Sequence, residues 1–210
     1  MQDEIYMQQA LDLAKKAAGR VSPNPMVGCV IVKNGKTLSK SYHKKYGSHH
    51  AEVNALKPLK GMAKGATMYV TLEPCHHHGN TPPCVEAVIR AQVKRVVIAM
   101  KDPDPRTAGK SIRKLKKAGI EVKVGVLKTA AEELNRFFIK QITTGKPYVI
   151  AKVAQSLDGK ITATRGKQTW LTGKAAKKYV QRLRSEVDAV LVGRQTILID
   201  DPQLNVRDAK

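Results

Sequence analysis

The sequence predicts an α/β protein: a mixed sheet with helices on both faces, followed by a second, shorter α/β unit. Three observations predict it. Apolar runs of strand length alternate with stretches of helical periodicity. Asn34-Gly35 lies between two strand-like runs, a pairing that favours a hairpin. The alternation pauses at Thr143-Thr-Gly-Lys-Pro147 and then restarts.

Each element has its own reason. Met7, Leu11, Ala14 and Ala18 recur at three- and four-residue steps, so Asp3 to Ala18 reads as a helix. Ser22-Pro-Asn-Pro25 ends it, because prolines remove donors and favour extended backbone. Val27 to Val32 and Thr37 to Tyr42 are the hairpin strands. Glu52 to Leu59 reads as a helix and Thr67 to Leu72 as a strand. Pro82-Pro83 suits the start of a helix over Cys84 to Ala91. Arg95 to Met100 is a buried strand, Ser111 to Ala118 a basic helix, Ile120 to Val126 a strand and Ala130 to Ile142 a helix. Beyond the linker, strands are expected at Tyr148–Ala154, Lys160–Ala163, Ala189–Val192 and Leu204–Val206, with a helix over Gly173–Ser185. The domains are therefore expected at 1–145 and 146–210. The second is short for an independent domain and reads as the front of a longer one.

Composition narrows the function. The 38 Lys and Arg outweigh 17 Asp and Glu, giving a formal charge of +21, which favours anionic partners such as phosphorylated metabolites or nucleic acid. Aromatic residues are only 4 %, poor for a surface that stacks bases. The first residues do not form a secretory signal, and no apolar run reaches the ~20 residues of a membrane span. Three cysteines, two in a His-rich loop, point to metal or thiol chemistry in the cytoplasm rather than to disulfides.

The chemistry gathers in two stretches, His49-His-Ala-Glu52 and Thr71-Leu-Glu-Pro-Cys-His-His-His-Gly-Asn-Thr-Pro-Pro-Cys84. Zinc deaminases use His/Cys/Cys ligands and a Glu that moves protons without binding metal, in an H-x-E…P-C-x-x-C pattern. His50-Ala-Glu52 and Pro74-Cys75 match it. The residue three beyond Cys75 is His78, whereas the next cysteine, Cys84, is nine beyond. Either could complete the ligand set. Cys84 is preferred, because a helix start favours a thiolate. Two residues apart in a regular helix, His50 and Glu52 would diverge by ~200°. They can share a site only if His50 precedes the helix. Of His49, His76, His77 and His78, one or two are expected to touch substrate. Cys29 reads as an inert core thiol.

Pro23-Asn-Pro25 before Val27-Gly-Cys-Val30, His50-Ala-Glu52, and Thr71-Leu-Glu-Pro-Cys75 followed by Thr81-Pro-Pro-Cys84 together resemble the bifunctional bacterial deaminase/reductase family of riboflavin biosynthesis. Lys101-Asp-Pro-Asp-Pro105, Ser156-Leu-Asp-Gly159, Trp170 and Asp200-Asp-Pro202 extend the resemblance over nearly the whole chain. It implies a cytidine-deaminase-like three-layer α/β/α domain followed by the N-terminal part of a dihydrofolate-reductase-like α/β domain. It implies hydrolytic deamination of 2,5-diamino-6-ribosylamino-4(3H)-pyrimidinone 5′-phosphate, with Zn²⁺ on His50, Cys75 and Cys84 and Glu52 as proton shuttle. Asn24, His43, Ala51, His77, Asp102 and Asp104 match substrate positions. In the second part Ala154, Trp170, Thr196 and Asp200 match positions for NADPH, and Arg184, Leu204 and Arg207 positions for the phosphorylated substrate. Asn80, Asp104 and Gln168 depart from the residues usual in the family. The family's later glycine-rich cofactor segment has no counterpart here, so little NADPH oxidation is expected of these 210 residues. The expected partner is a small phosphorylated pyrimidine, not nucleic acid or membrane. An incomplete second domain would expose apolar surface and invite a homo-oligomer. The alternatives are a tRNA adenosine deaminase and a non-catalytic relic that binds the nucleotide.

Overall fold

The computed structural model describes residues 1–78 and 82–207. The chain divides into two compact units, Met1–Tyr148 and Val149–Lys210. The first holds a five-stranded sheet of order β2-β1-β3-β4-β5. Its strands are β1 (Gly28–Lys33), β2 (Lys36–Tyr42), β3 (Thr67–Leu72), β4 (Arg95–Met100) and β5 (Glu121–Val124). β1 pairs antiparallel with both β2 and β3, while β3, β4 and β5 run parallel. The hairpin turns at Asn34 (φ 51°) and Gly35 (φ 72°), two consecutive left-handed residues that match the twist of the flanking strands.

Helices cover both faces. α1 (Gln2–Lys15) and α5 (Lys128–Leu134) pack on one, and α2 (Ala51–Leu56), α3 (Cys84–Arg90) and α4 (Lys110–Lys117) on the other. Layered on both sides, β1, β3 and β4 are almost wholly buried and accordingly read as continuous apolar runs. The approach of α1 to β1 is so close that a Cβ on Gly28 would stand 1.9 Å from the Ala10 carbonyl oxygen. Only glycine fits there.

Most elements of this unit lie within one to three residues of the sequence expectation, and β3 and β4 coincide with it. The expected helix 130–142 is instead two, α5 and α6 (Arg136–Thr144), broken at Asn135. The reason is tertiary. The Asn135 side chain accepts from Met26 N at 2.8 Å and donates to Met26 O at 3.0 Å. It thereby fastens the 24–27 loop that borders the site described below. The division proposed from the sequence, 1–145 and 146–210, falls at the end of α6.

The second unit contains α7 (Lys174–Glu186) and α8 (Arg194–Asp200), the latter unanticipated. The strands expected at Tyr148–Ala154, Lys160–Ala163, Ala189–Val192 and Leu204–Val206 are not present as strands among the described residues. A strand is defined by its ladder, and these apolar segments have no paired neighbour within the unit. None of the described residues from Val149 onward is buried.

Candidate metal centre and pocket

β2, β3 and β4 end at the edge of the sheet where β1 begins, and the segments entering and leaving them there build a cavity of about 110 Å³. Its wall includes Asn24, Pro25, Val27, His43, His50, Glu52, Leu72, Glu73, Cys75, His77, Asp102, Asp104, Arg106 and Phe138. The volume is well below the ~300–1,000 Å³ of pockets that enclose whole drug-sized ligands. It has room for a single ring, with the rest of a ligand toward the mouth. A larger open depression of about 500 Å³ beside the start of α1 has neither His nor Cys in its lining.

Three potential metal ligands meet at the wall, His50 and Cys75 in its lining and Cys84 buried beside them. One ligand atom each from His50, Cys75 and Cys84 lie within 4.8 Å of one another. His50 Nδ1 is 3.6 Å from Cys75 Sγ and 3.2 Å from Cys84 Sγ. Zinc with bonds of about 2.3 Å to sulfur and 2.0–2.1 Å to nitrogen sets tetrahedral ligand atoms roughly 3.5 Å apart. The donor set and its spacing therefore fit zinc. His78, the other candidate for third ligand, is exposed and outside the cluster.

Local chain geometry explains the gathering. His50 is the N-cap of α2 with extended backbone (φ −70°, ψ 169°), so regular helical divergence has not begun. Glu52 in the first turn then joins the same cavity and is itself buried. Burial pushes the Glu52 carboxyl up to about 7, with the neighbouring Cys75 thiolate adding to the effect. Cys84 begins α3, and its backbone N–H donates to Cys75 Sγ at 3.2 Å. The helix-start N–H serves Cys75, whose pKa is lowered by hydrogen bonding from Cys84 and then from His50. The Cys84 thiol is pushed up, first by its bond to Cys75 and next by burial. Zinc would displace that second proton.

The remaining wall is equally ordered. His43 is 3.2 Å from the His49 carbonyl through Nδ1 and 3.2 Å from Asn24 Nδ2 through Nε2. Protonation at Nδ1 satisfies both contacts with a neutral ring, and burial lowers its pKa accordingly. His77 Nδ1 lies 3.3 Å from Thr107 Oγ1. Asp102 is pushed up to about 6, chiefly by burial and further by the charges of Asp104 and Glu73. Ala51 is fully buried beneath the wall and is not part of the lining. Asn80 lies outside the described residues.

Three wall residues, and Asn135 outside the lining, escaped sequence reasoning. Glu73 accepts N–H bonds from Asp102, Gly109, Ser111 and Ile112 at 2.9–3.3 Å. It ties the end of β3 to the 102–109 loop and to the start of α4. Its sequence signal was its place inside Thr71-Leu-Glu-Pro-Cys75. Arg106 follows directly on the quoted 101–105 stretch, whereas Phe138 and Asn135 gave no local signal.

The residues expected to serve NADPH or a second substrate site lie in the second unit on half-buried or exposed surface. Ala154, Thr196 and Asp200 are at or near its helices and turns. Trp170 is 66 % exposed, with Lys177 Nζ 3.8 Å from its ring centre. Arg184 Nη1 donates to Asn205 O at 3.3 Å, and Arg207 N to Gln181 Oε1 at 2.8 Å, which brings the 204–207 segment beside α7. Gln168 stands in an exposed turn-rich segment.

Comparison with known proteins decides the lineage. Residues 1–100 match the cytidine and deoxycytidylate deaminase zinc-binding region, and residues 147–210 match the RibD C-terminal domain. The riboflavin biosynthesis protein RibD of Aquifex aeolicus is 52 % identical over 205 residues, 98 % of this chain and 58 % of that protein. The chain belongs to the RibD family. Its structural likeness to RibD is equally extensive. Acinetobacter baumannii RibD superposes with a TM-score of 0.94 at 51 % identity, over 99 % of this chain and 58 % of that one. A Thermotoga maritima diaminohydroxyphosphoribosylaminopyrimidine deaminase/5-amino-6-(5-phosphoribosylamino)uracil reductase gives 0.92 at 44 % identity, over 98 % and 59 %. The chain thus spans a little over half the length of the RibD relatives it matches. It carries the RibD cytidine-deaminase-like zinc-binding domain and a stretch of the dihydrofolate-reductase-like C-terminal domain.

Proposed function

We propose that the chain is a zinc-dependent hydrolytic deaminase in riboflavin biosynthesis, acting on 2,5-diamino-6-ribosylamino-4(3H)-pyrimidinone 5′-phosphate. The observation that carries this reading is the His50/Cys75/Cys84 cluster, of which His50 and Cys75 line a ring-sized cavity, with buried Glu52 facing the same space. The RibD lineage supports the choice of substrate.

Zinc on these three groups supplies the Lewis acidity that lowers the pKa of water toward ~7. The protein supplies the rest. Glu52 takes a proton from the attacking water, hands it to the ring nitrogen and then assists departure of ammonia. Its burial keeps bulk water from competing for that proton. Asn24 and His43, locked to each other, present fixed polar edges to the ring. His77, Asp102 and Asp104 face the same cavity and complete its polar wall. Asp102 is bound in turn by Asp104 N at 2.9 Å, which limits its rotation.

The reductase step is not part of the proposal. No described residue from Val149 onward is buried, and ordered cofactor sites need packed support. A cytoplasmic setting suits three unpaired cysteines. No helix among the described residues is long and apolar enough to cross a membrane.

The test is ammonia release by the zinc-loaded chain from the phosphorylated pyrimidine, with tRNA and a chelator as parallel arms. Turnover of the pyrimidine alone, abolished by the chelator, is the expected result. Turnover of tRNA alone would overturn the substrate, and a protein that neither holds zinc nor regains activity with it would overturn the enzyme. NADPH oxidation with the deaminated product should stay at background.

A further inference from the structure

We propose that Arg106 is the phosphate anchor of this site, held ready by Asp104; the inference rests on the reading of the substrate as a phosphorylated aminopyrimidine. The cavity wall contains four carboxylates, Glu52, Glu73, Asp102 and Asp104. A dianionic phosphate entering such a wall is repelled unless a cation stands at its path. Arg106 is the sole Lys or Arg among the described lining residues. The stretch between the two zinc-site cysteines, residues 76–83, contains neither. The overall charge of +21 therefore does not reach the pocket by any other lining side chain.

The geometry suits the task. The Arg106 side chain is 64 % exposed while that of Asp104 is 8 % exposed, so the pair spans from the wall to the mouth. Arg106 Nε donates to Asp104 Oδ1 and Oδ2 at 3.0 and 2.9 Å, and Nη2 donates to Oδ2. Asp104 Oδ1 also accepts the Arg106 backbone N–H at 2.8 Å. One edge of the guanidinium is thus fixed. Nη1 makes no hydrogen bond among the described residues, and a guanidinium has five N–H donors in a rigid fork. The free edge matches two phosphate oxygens. Since the cavity holds one ring, the ribosyl phosphate extends to the mouth, where this edge stands. Asp104 is consequently a positioning residue: it neutralises its own charge against the guanidinium and removes the freedom that binding would otherwise cost.

The experiment compares the zinc-loaded full chain with its Arg106→Gln and Arg106→Lys variants on the phosphorylated pyrimidine and on its dephosphorylated riboside. Arg106→Gln should lower kcat/KM for the phosphorylated form by about 10- to 100-fold, the weight of one or two charge-assisted hydrogen bonds. The loss should fall on KM, leave the riboside unchanged, and be partly restored by lysine. An unchanged ratio between phosphorylated and dephosphorylated forms would overturn the assignment. Calorimetric titration with ribose 5-phosphate separates this proposal from the functional reading. If the wild type deaminates neither pyrimidine, that reading falls, yet weaker binding of ribose 5-phosphate to Arg106→Gln still supports the anchor. Equal binding by both proteins, or binding by neither, overturns it.

Discussion

Replacing Glu73 tests how the fold holds the pocket. Its carboxylate is 2 % exposed and accepts four backbone N–H groups, from Asp102 at 3.3 Å, Gly109 at 2.9 Å, Ser111 at 3.1 Å and Ile112 at 3.2 Å. The last two belong to the first turn of α4, whose donors have no partner inside the helix. A hydrogen bond to a charged group contributes roughly 1.5–3 kcal/mol, but four bonds to one carboxylate share a single desolvation cost and do not add. Glu73→Ala leaves four donors without their acceptor beside a cavity that water can partly reach. We expect a loss of about 3–5 kcal/mol, the range for removing one partner of a buried charged network. For a unit of this size that corresponds to a fall of roughly 6–20 °C in Tm. Glu73→Gln keeps the shape, still accepts through one oxygen, and should fall between. Far-UV circular dichroism measures the melt, and amide hydrogen exchange at Gly109, Ser111 and Ile112 locates it. Faster exchange confined to those amides and the 102–109 loop is the expected pattern. A Tm change under about 2 °C with unaltered exchange would refute the reasoning, since it would mean the four bonds carry no net stability.

Two further outcomes follow from the same kind of contact. Gly28→Ala places a Cβ 1.9 Å from the Ala10 carbonyl, against backbone that cannot rotate away, so it should destabilise by at least about 3 kcal/mol, readable as a lower urea midpoint. Asp3 is held well below its ordinary value of 3.8, first by the Arg95 hydrogen bond and also by Lys123 and Tyr69. A depressed carboxylate stabilises above its unfolded pKa. Asp3→Asn should therefore cost about 2 kcal/mol at neutral pH, a difference from wild type that shrinks as pH falls below about 4; a gap independent of pH would contradict it.

The centre of this molecule was legible because its chemistry is local in sequence. His50, Glu52 and Cys75 sit at fixed spacings next to helix or strand ends, and the spacing itself required His50 to lie outside the helix. Cys84 was readable despite its distance from Cys75 because it follows Pro82-Pro83 at a helix start. What escaped was set by contacts distant in the chain. Glu73 meets donors 29 to 39 residues away. Asn135 breaks a helix to hold Met26, 109 residues away, and periodicity contains no trace of that. The second unit shows the converse. Its apolar runs satisfy every local criterion for strands, but a strand exists only with a neighbour to pair with, and none of those runs is paired within the unit.

The most direct test of the central claim is a paired measurement on Glu52→Gln: zinc content of the purified protein and ammonia released from the phosphorylated pyrimidine. The expected result is one zinc held as in wild type, since Glu52 is not among the three clustered ligands, and turnover reduced by at least about 10²-fold, the lower bound for losing a positioned acid–base group. Retained turnover at wild-type zinc content would remove Glu52 from the chemistry. Loss of zinc along with activity would make it a ligand and contradict the three-residue centre.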